Sequence, residues 1–282
     1  MSKKEHIQIV DCPRDAIQGI DKFIPTERKV AYINQLANSR LIDFIDFGSF
    51  VSPKAVPQME DTAILVDSID KKESKLIAII ANVKGAVRAA PYQNIDYLGY
   101  PFSISETFQK RNANQSIEEA YQSVEKAKDV MAQAGKQELM VYISMAFGNP
   151  YKDAWHADLV LEWMEKLGEL GIYKFSLADT TAEATPGVVH DIFTATRHRF
   201  PDVELSLHLH SRVEDASLKV DAAHRAGCRI FEGAMMGYGG CPFAQDDLVG
   251  NIPTEILLRR FKQVKEGEVQ HLMQGFQELI QK

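Results

Sequence analysis

Cysteine is scarce in this chain, and long apolar runs are missing. The 282 residues include three cysteines, Cys12, Cys228 and Cys241, which make a poor disulfide framework and favour a reducing compartment. No run reaches the roughly 18 apolar residues that mark a membrane span. The segment from Met1 to His6 has the pattern of neither a signal peptide nor a transit peptide. We therefore expect a cytoplasmic protein that does not bind a membrane.

An excess of basic residues is also absent. The formal net charge is −7 at pH 7, with 25% charged and 45% hydrophobic residues. Nucleic-acid-binding proteins concentrate Lys and Arg in patches, so we expect no nucleic-acid partner. The length suits one large barrel or two small domains. Because no linker or low-complexity stretch interrupts the chain, we predict a single domain over residues 1–282.

The chain does contain a repeated alternation of apolar, β-rich segments and helical patterns. The candidate strands are 7–11, 43–47, 76–83, 97–103, 139–145, 172–178, 203–210 and 229–234. Such alternation favours a parallel sheet, and eight repeats favour a closed (β/α)8 (TIM) barrel of the α/β class. The alternative is a doubly wound sheet. No G-x-G-x-x-G follows the first strand, which argues against its dinucleotide-binding form.

Several helix ends have recognisable signals. Thr26 is a candidate N-cap, and Ser116 with Glu119 matches a capping box. The helix predicted over 214–226 ends at Gly227, which suits a left-handed C-terminal residue. An apolar stripe in residues 254–282 predicts extra C-terminal helices that extend the barrel.

Polar side chains follow the predicted strands, where a barrel carries its chemistry. His208 and His210 are two residues apart on one strand, so both point to the same side and can reach one ion. Asp15 follows the first strand and is a third candidate ligand. Two imidazoles and a carboxylate indicate a metal-dependent enzyme, although the histidines could instead be ordinary interior residues. Arg14, just inside the barrel mouth, needs an anion from the protein or from a ligand.

Other polar residues at these strand ends each have a structural alternative. Asp179 belongs either to the site or to the cap of the next helix, and Ser144 could be a barrel-lining hydroxyl. Gly237 to Gly240 form either a tight turn or a mobile loop over the site. Cys241 alone could be an inert thiol. The remaining strand-end polar residues are Asp43, Asp46, Ser49, Asn82, Ser103, Ser105, Glu106 and Asn149.

Five short segments, taken together, resemble the 3-hydroxy-3-methylglutaryl-CoA lyase family. They are Pro13 to Asp15, Phe50 to Met59, His208 to His210, Gly239 to Pro242, and Gly250 with Asn251. The resemblance runs in order from about residue 7 to residue 258. It implies a barrel enzyme that cleaves 3-hydroxy-3-methylglutaryl-CoA to acetyl-CoA and acetoacetate, as in leucine breakdown and ketone-body formation. It also implies an acyl-CoA thioester as the substrate and a homodimer.

The resemblance assigns roles to individual residues. The implied metal ligands are Asp15, His208 and His210, with Asn251 close to the ion. The implied catalytic residues are Arg14, Cys241, Asp46 and Asp179, and the substrate-binding residues are Gln18, Arg111, Asn112 and Ser144. Mixed oxygen and imidazole ligation suits Mg²⁺ or Mn²⁺, with Zn²⁺ and Co²⁺ as alternatives. Arg14 would stabilise an enolate and Cys241 would protonate it, while Asp46 or a histidine ligand would accept the hydroxyl proton.

Three positions depart from the family pattern. Val10 and Ile20 replace glutamates, and Ser211 replaces the aspartate after the second histidine. These changes lie close to the ligands, so they leave open a related aldolase or lyase that acts on a different hydroxyacyl-CoA or hydroxy acid. A synthase and a catalytically silent, CoA-binding barrel are further alternatives. The second would fit a chain that lacks a ligand or Arg14, and this chain keeps both.

Overall fold

Eight parallel strands close into a barrel in the computed structural model, which describes residues 6–135, 138–240 and 249–281. Each strand pairs with the next one along the chain, and β8 pairs back with β1. The strands are β1 Gln8–Asp11, β2 Phe44–Ser49, β3 Lys75–Ile79, β4 Tyr97–Ser103, β5 Glu138–Ser144, β6 Lys174–Asp179, β7 Glu204–Leu209 and β8 Ile230–Gly233.

Helices follow the strands and surround the barrel. They are α1 Pro13–Ile17, α2 Thr26–Ser39, α3 Thr62–Ser68, α4 Val83–Ala89, α5 Glu106–Ala113, α6 Ile117–Ala134, α7 Ala157–Glu169, α8 Pro186–Arg199, α9 Val213–Arg225, α10 Thr254–Phe261 and α11 Glu266–Ile280. The predicted (β/α)8 barrel with extra C-terminal helices is confirmed, and the doubly wound alternative is wrong. That residues 1–282 form a single domain stays a prediction.

The last helix packs over the outside of the barrel. The rings of Tyr32 on α2 and Phe276 on α11 meet edge to face, with their centroids 5.5 Å apart. The helix thereby covers an apolar face of α2, as the stripe in the sequence predicts. None of the helices in the described residues combines the length and the apolar character required to cross a membrane.

The strands bury both faces, because their side chains alternate between the surrounding helices and the barrel interior. Apolar side chains early in the strands form one cluster that includes Val10, Phe44, Ile77, Tyr97 and Met140. The ion pair of Lys174 with Glu204 lies against this cluster. The barrel is therefore filled toward its amino-terminal end, which leaves the carboxyl end for a site.

The helix signals in the sequence were partly right. The capping box of α6 is present: the Ser116 hydroxyl accepts from the Glu119 amide, and the Glu119 carboxylate accepts from the Ser116 amide. The predicted N-cap role of Thr26 is wrong. Thr26 is the first residue of α2, and its hydroxyl donates to Asp61 at 2.8 Å. Asp61 also pairs with buried Lys29, so a tertiary contact replaces the local cap.

Candidate metal and active site

Three of the predicted metal ligands meet at the carboxyl end of the barrel. Asp15 lies in α1 directly after β1, His208 lies on β7, and His210 follows β7. Each is buried, and each offers a ligand atom within 4.8 Å of those of the other two. His210 Nε2 is 3.7 Å from Asp15 Oδ2. The i, i+2 spacing on a strand therefore brings both imidazoles to one carboxylate, as the sequence predicts.

Both imidazoles are oriented by a hydrogen bond at Nδ1. The partner of His210 is the backbone carbonyl of Thr180 at 3.2 Å, and that of His208 is the Glu232 carboxylate at 3.2 Å. Burial alone would lower the pKa of His208, but the hydrogen bond and charge of Glu232 raise it overall. Asp15 shows the opposite balance. Burial would raise its pKa, but the charge of Arg14 and the contact with His210 lower it, so the carboxylate stays ionised.

Asn251 completes this group with an amide oxygen. Its backbone forms an isolated antiparallel bridge with His210, and its Nδ2 donates to Asp15 Oδ2 at 2.7 Å and to the Tyr238 carbonyl at 3.0 Å. Within the part of the chain that the structure describes, the buried Oδ1 has no hydrogen-bond partner. Because buried polar atoms are rarely left unpaired, this oxygen is available to a ligand. Two imidazoles, a carboxylate and a free amide oxygen fit a divalent cation.

Arg14 is held by acidic and amide groups beside the ligands. Its Nε and Nη2 donate to the Asp46 carboxylate, with the shortest contact at 2.5 Å. Its Nη1 donates to Asp15 Oδ1 at 3.1 Å and to Gln18 Oε1 at 3.0 Å. Burial alone would lower the pKa of Arg14, but the charges of Asp46 and Asp15 raise it, so the guanidinium keeps its charge. The anion that Arg14 was expected to need is therefore supplied by the protein.

A cavity of about 380 Å³ opens beside these groups. Its lining includes Arg14, Asp15, His208 and His210, and it also includes all four predicted substrate-binding residues, Gln18, Arg111, Asn112 and Ser144. The Arg111 guanidinium lies over the ring of Tyr151, 4.8 Å from its centroid. The cavity thus joins the ligand group to α5, which carries a cationic side chain at the rim.

Two further hydroxyls belong to the cavity wall. Ser49 and Tyr142 line the cavity, and their buried oxygens have no hydrogen-bond partner in the described ranges. Ser49 was expected among the polar residues at the ends of strands, whereas Tyr142 was not predicted. An interior position on a strand filled with apolar residues gives no signal that a tyrosine hydroxyl reaches the site.

Two predicted catalytic carboxylates lie next to the cavity without lining it. Asp46 is buried, and its carboxylate accepts from the Arg14 guanidinium. Asp179 is buried, and its oxygens accept from the backbone amides of Thr181, Glu183 and Ala184. The alternative in which Asp179 caps the next helix is wrong, because the N-cap of α8 is Thr185, whose hydroxyl accepts from the Val188 amide. The catalytic role of Asp179 stays a prediction. Asp43 was expected among the polar residues at the end of its strand. That expectation is wrong, because Asp43 precedes β2 and binds Lys262 at the opposite end.

The glycine-rich segment after β8 packs tightly against the site. A Cβ atom on Gly239, whose φ is +98°, would lie 2.7 Å from the Asp15 carbonyl oxygen and 2.8 Å from Ala16 Cα. Only glycine permits this approach. The backbone at Gly239 therefore packs directly against α1. Cys241, the predicted loop cysteine, lies outside the described residues.

A second residue of the site, besides Tyr142, was not predicted. Glu232 on β8 contacts His208, and it was not among the predicted site residues. A signal was present, since Glu232 is a carboxylate between Phe231 and Gly233 in a strand that is otherwise apolar. Buried carboxylates require partners, so an acidic residue at an interior strand position marks a polar site.

Candidate cation ligands, a fixed guanidinium and a cavity lie together at the carboxyl ends of parallel strands. They define a (β/α)8-barrel enzyme with a candidate divalent-metal site. The HMGL-like family model matches residues 6–279. The chain belongs to the HMGL-like family.

Named relatives agree with this assignment. The chain is 34% identical to the mitochondrial hydroxymethylglutaryl-CoA lyase of Mus musculus over 90% of this chain and 78% of that protein. It is 31% identical to hydroxymethylglutaryl-CoA lyase YngG of Bacillus subtilis over 89% and 83%. A solved HMG-CoA lyase from Acinetobacter baumannii, in complex with coenzyme A and 3-methylmalate, is 29% identical with a TM-score of 0.90 and covers 99% of this chain and 92% of its own. The predicted family and the predicted class, carbon–carbon lyase, are confirmed.

Proposed function

We propose that the protein cleaves 3-hydroxy-3-methylglutaryl-CoA into acetyl-CoA and acetoacetate in a reaction that depends on a divalent cation. The observation that carries this proposal is the group formed by Asp15, His208, His210 and the free oxygen of Asn251 beside the charged Arg14. Support comes from relatives named hydroxymethylglutaryl-CoA lyase and from a structural neighbour in complex with coenzyme A.

The reaction is a retro-Claisen cleavage. The tertiary hydroxyl of the substrate passes its proton to a base of the site, the adjacent C–C bond breaks, and the electron pair of that bond passes to the acetyl thioester as an enolate. The former alcohol carbon becomes the ketone of acetoacetate, and protonation of the enolate carbon gives acetyl-CoA. Two negative charges must therefore be stabilised in turn, on the alkoxide and on the enolate oxygen.

Asp15, His208, His210 and Asn251 would hold the cation, with Mg²⁺ or Mn²⁺ as our assignment and Zn²⁺ or Co²⁺ as alternatives. When bound, the cation lowers the pKa of the substrate hydroxyl and orients the bond to be broken. Hydrogen bonds at Nδ1 orient the imidazoles of His208 and His210, and the hydrogen bond from its Nδ2 to Asp15 orients the side chain of Asn251. These hydrogen bonds hold the side chains that would bind the cation in fixed orientations.

Arg14 stabilises the developing enolate oxygen. Its guanidinium is nearly buried, with 11% of the side chain exposed, so little water screens its charge. Asp46 and Gln18 fix the direction of this charge. Both oxygens of Asp46 contact Arg14, which favours a positioning role for Asp46 over proton abstraction. We retain Cys241 as the donor that protonates the enolate carbon.

A second candidate function is the cleavage of a different hydroxyacyl-CoA or hydroxy acid. The departures at Val10, Ile20 and Ser211 favour it. Of these, Ser211 is buried, and its hydroxyl donates to the Arg212 carbonyl at 2.9 Å. The position that follows His210 therefore contributes no carboxylate to the ligand group.

A substrate panel separates the two candidates. Purified protein with excess Mn²⁺ would be given 3-hydroxy-3-methylglutaryl-CoA, its analogue without the 3-methyl group, and the free hydroxy acid. We expect cleavage of the first compound with a kcat/KM at least tenfold above the others. Faster cleavage of another compound would assign the protein to the second candidate function.

We further propose a cytoplasmic homodimer that acts in leucine breakdown. The family resemblance supports the dimer and the pathway. A sedimentation measurement of the purified protein tests the dimer, and localisation of the tagged chain in its host tests the compartment.

A further inference from the structure

Glu232 is a buried carboxylate inside the barrel with three side-chain donors around it. The side chain is fully buried. Its Oε1 accepts from the hydroxyls of Ser176 and Ser206, each at 2.6 Å. Its Oε2 contacts His208 Nδ1 at 3.2 Å. Such a network is costly to bury unless it is satisfied, and here both carboxylate oxygens have partners.

Neighbouring strands assemble this network. Ser176 on β6 pairs with Ser206 on β7, and His208 on β7 pairs with Glu232 on β8. The position paired with Glu232 on the other side is Val10 on β1, an apolar residue. Glu232 is thus the carboxylate that the last strand supplies at the level of His208.

The hydrogen-bond chemistry fixes which nitrogen of His208 is free. A carboxylate only accepts hydrogen bonds, so Nδ1 of His208 must carry the proton in the bond to Glu232. In the neutral imidazole, the lone pair is then on Nε2. The two serine hydroxyls hold the carboxylate from the other side and prevent its rotation away from the ring.

We propose that Glu232 is a positioning residue for the metal site. Glu232 holds His208 in the tautomer that presents Nε2 to the cation. This inference rests on the proposed metal-dependent function and adds a residue that acts through a ligand. Histidine ligands commonly bind such a partner, and its loss typically weakens metal affinity about 10- to 100-fold.

A direct role for Glu232 is the competing interpretation. Cys12, His208 and Glu232 also bring ligand atoms within 4.8 Å of one another. If Glu232 acts through His208, the thiol is not needed, and Cys12 therefore offers a matched control.

The test measures Mn²⁺ binding by calorimetry in chelator-stripped wild type, Glu232→Leu, Glu232→Gln and Cys12→Ala. We expect Glu232→Leu to weaken binding about 10- to 100-fold, Glu232→Gln to weaken it less, and Cys12→Ala to bind as the wild type does. Unchanged affinity in folded Glu232→Leu would overturn the proposal. Equal losses in Cys12→Ala and Glu232→Leu would also overturn it, because both residues would then be direct ligands.

A second measurement does not depend on affinity. Nitrogen-15 NMR of the Mg²⁺-loaded protein reports which nitrogen of His208 carries the proton, and His208→Gln assigns the signal. We expect protonated Nδ1 in the wild type, and protonated Nε2 would contradict the proposal. If Glu232→Leu fails to fold, Glu232→Gln and this spectrum decide the question. Wild type that binds no Mn²⁺ would instead contradict the proposed function itself.

Discussion

Arg14 shows how single residues derive their chemistry from burial at the end of a strand. The sequence identified it because a cation at a barrel mouth requires an anion, and the structure supplies Asp46. His208 and His210 could be predicted as a pair because their i, i+2 spacing is local, and Asp15 could be predicted because it follows the first strand of a barrel. Glu232 could not be paired with His208 in the same way, because their contact depends on the alignment of β7 with β8 over 24 residues of sequence separation.

Replacement of Arg14 tests its electrostatic role. Arg14→Met keeps much of the side-chain volume but removes the charge, so we expect kcat to fall by at least about 10²–10³. Mn²⁺ binding should persist, because the four donors remain. Arg259→Met is the control, since Arg259 is an exposed residue of α10 that pairs with Glu266. Steady-state kinetics and calorimetry on both variants check the prediction, and normal turnover by Arg14→Met would refute this role.

Helix starts show what local sequence signals can and cannot determine. The capping box at Ser116 was correctly predicted because both partners lie within one turn of α6. Thr26 has a similar local signal, but its hydroxyl donates to Asp61 instead of capping the helix. No local pattern reveals this partner, which is 35 residues away. Strand positions were predictable because alternation is local, whereas the inward placement of Tyr142 in the cavity depends on barrel closure.

Loss of the α6 cap should have a measurable cost. Ser116→Ala leaves the Glu119 amide without its side-chain acceptor, so we expect the free energy of unfolding to fall by about 1 kcal/mol. Ser68→Ala is a matched control, because Ser68 lies at the end of α3 and donates to the Ile64 carbonyl. Urea unfolding of both variants gives the comparison. A loss in Ser68→Ala as large as that in Ser116→Ala would argue against the capping explanation.

Closure of the barrel is the property of the whole molecule that creates the site. Residues 15, 208 and 251 are far apart in sequence, and only the pairing of β8 with β1 brings their segments together. The count of eight alternating units predicted this closure. The opposite end of the barrel is less easily predicted, because the start of a strand is uncertain by one or two residues. The second strand was predicted to begin at residue 43 but begins at Phe44, and Asp43 lies at the opposite end from the site.

Asp11, on the outer face of β1, makes the stability of the folded protein depend on pH. Burial raises the pKa of Asp11 from 3.8 to about 7, partly opposed by the hydrogen bond from Thr254. An acid whose pKa is higher in the folded state stabilises the fold fully at pH values below its unfolded-state pKa. This stabilisation is lost as the pH rises to the folded-state pKa of about 7. Asp11 therefore destabilises the fold increasingly between about pH 4 and pH 7.

Asp11→Asn removes this titration. The quantity to compare is the unfolding free energy of the variant minus that of the wild type. We expect this difference to be up to about 2.5 kcal/mol higher at pH 8 than at pH 5. Comparison of differences at the two pH values cancels other titrating groups and any loss of the Thr254 contact. Urea unfolding at both values provides the test. A difference that does not change with pH would show that Asp11 has an ordinary pKa in the folded protein.

The central claim is that the cation held by the barrel-end ligands is required for cleavage. The measurement that tests it most directly is acetoacetate formation from 3-hydroxy-3-methylglutaryl-CoA by chelator-stripped protein, before and after addition of Mn²⁺. We predict negligible product before addition and sustained turnover afterwards, with no recovery in His210→Ala. Equal turnover by the stripped and the Mn²⁺-loaded protein would contradict the claim.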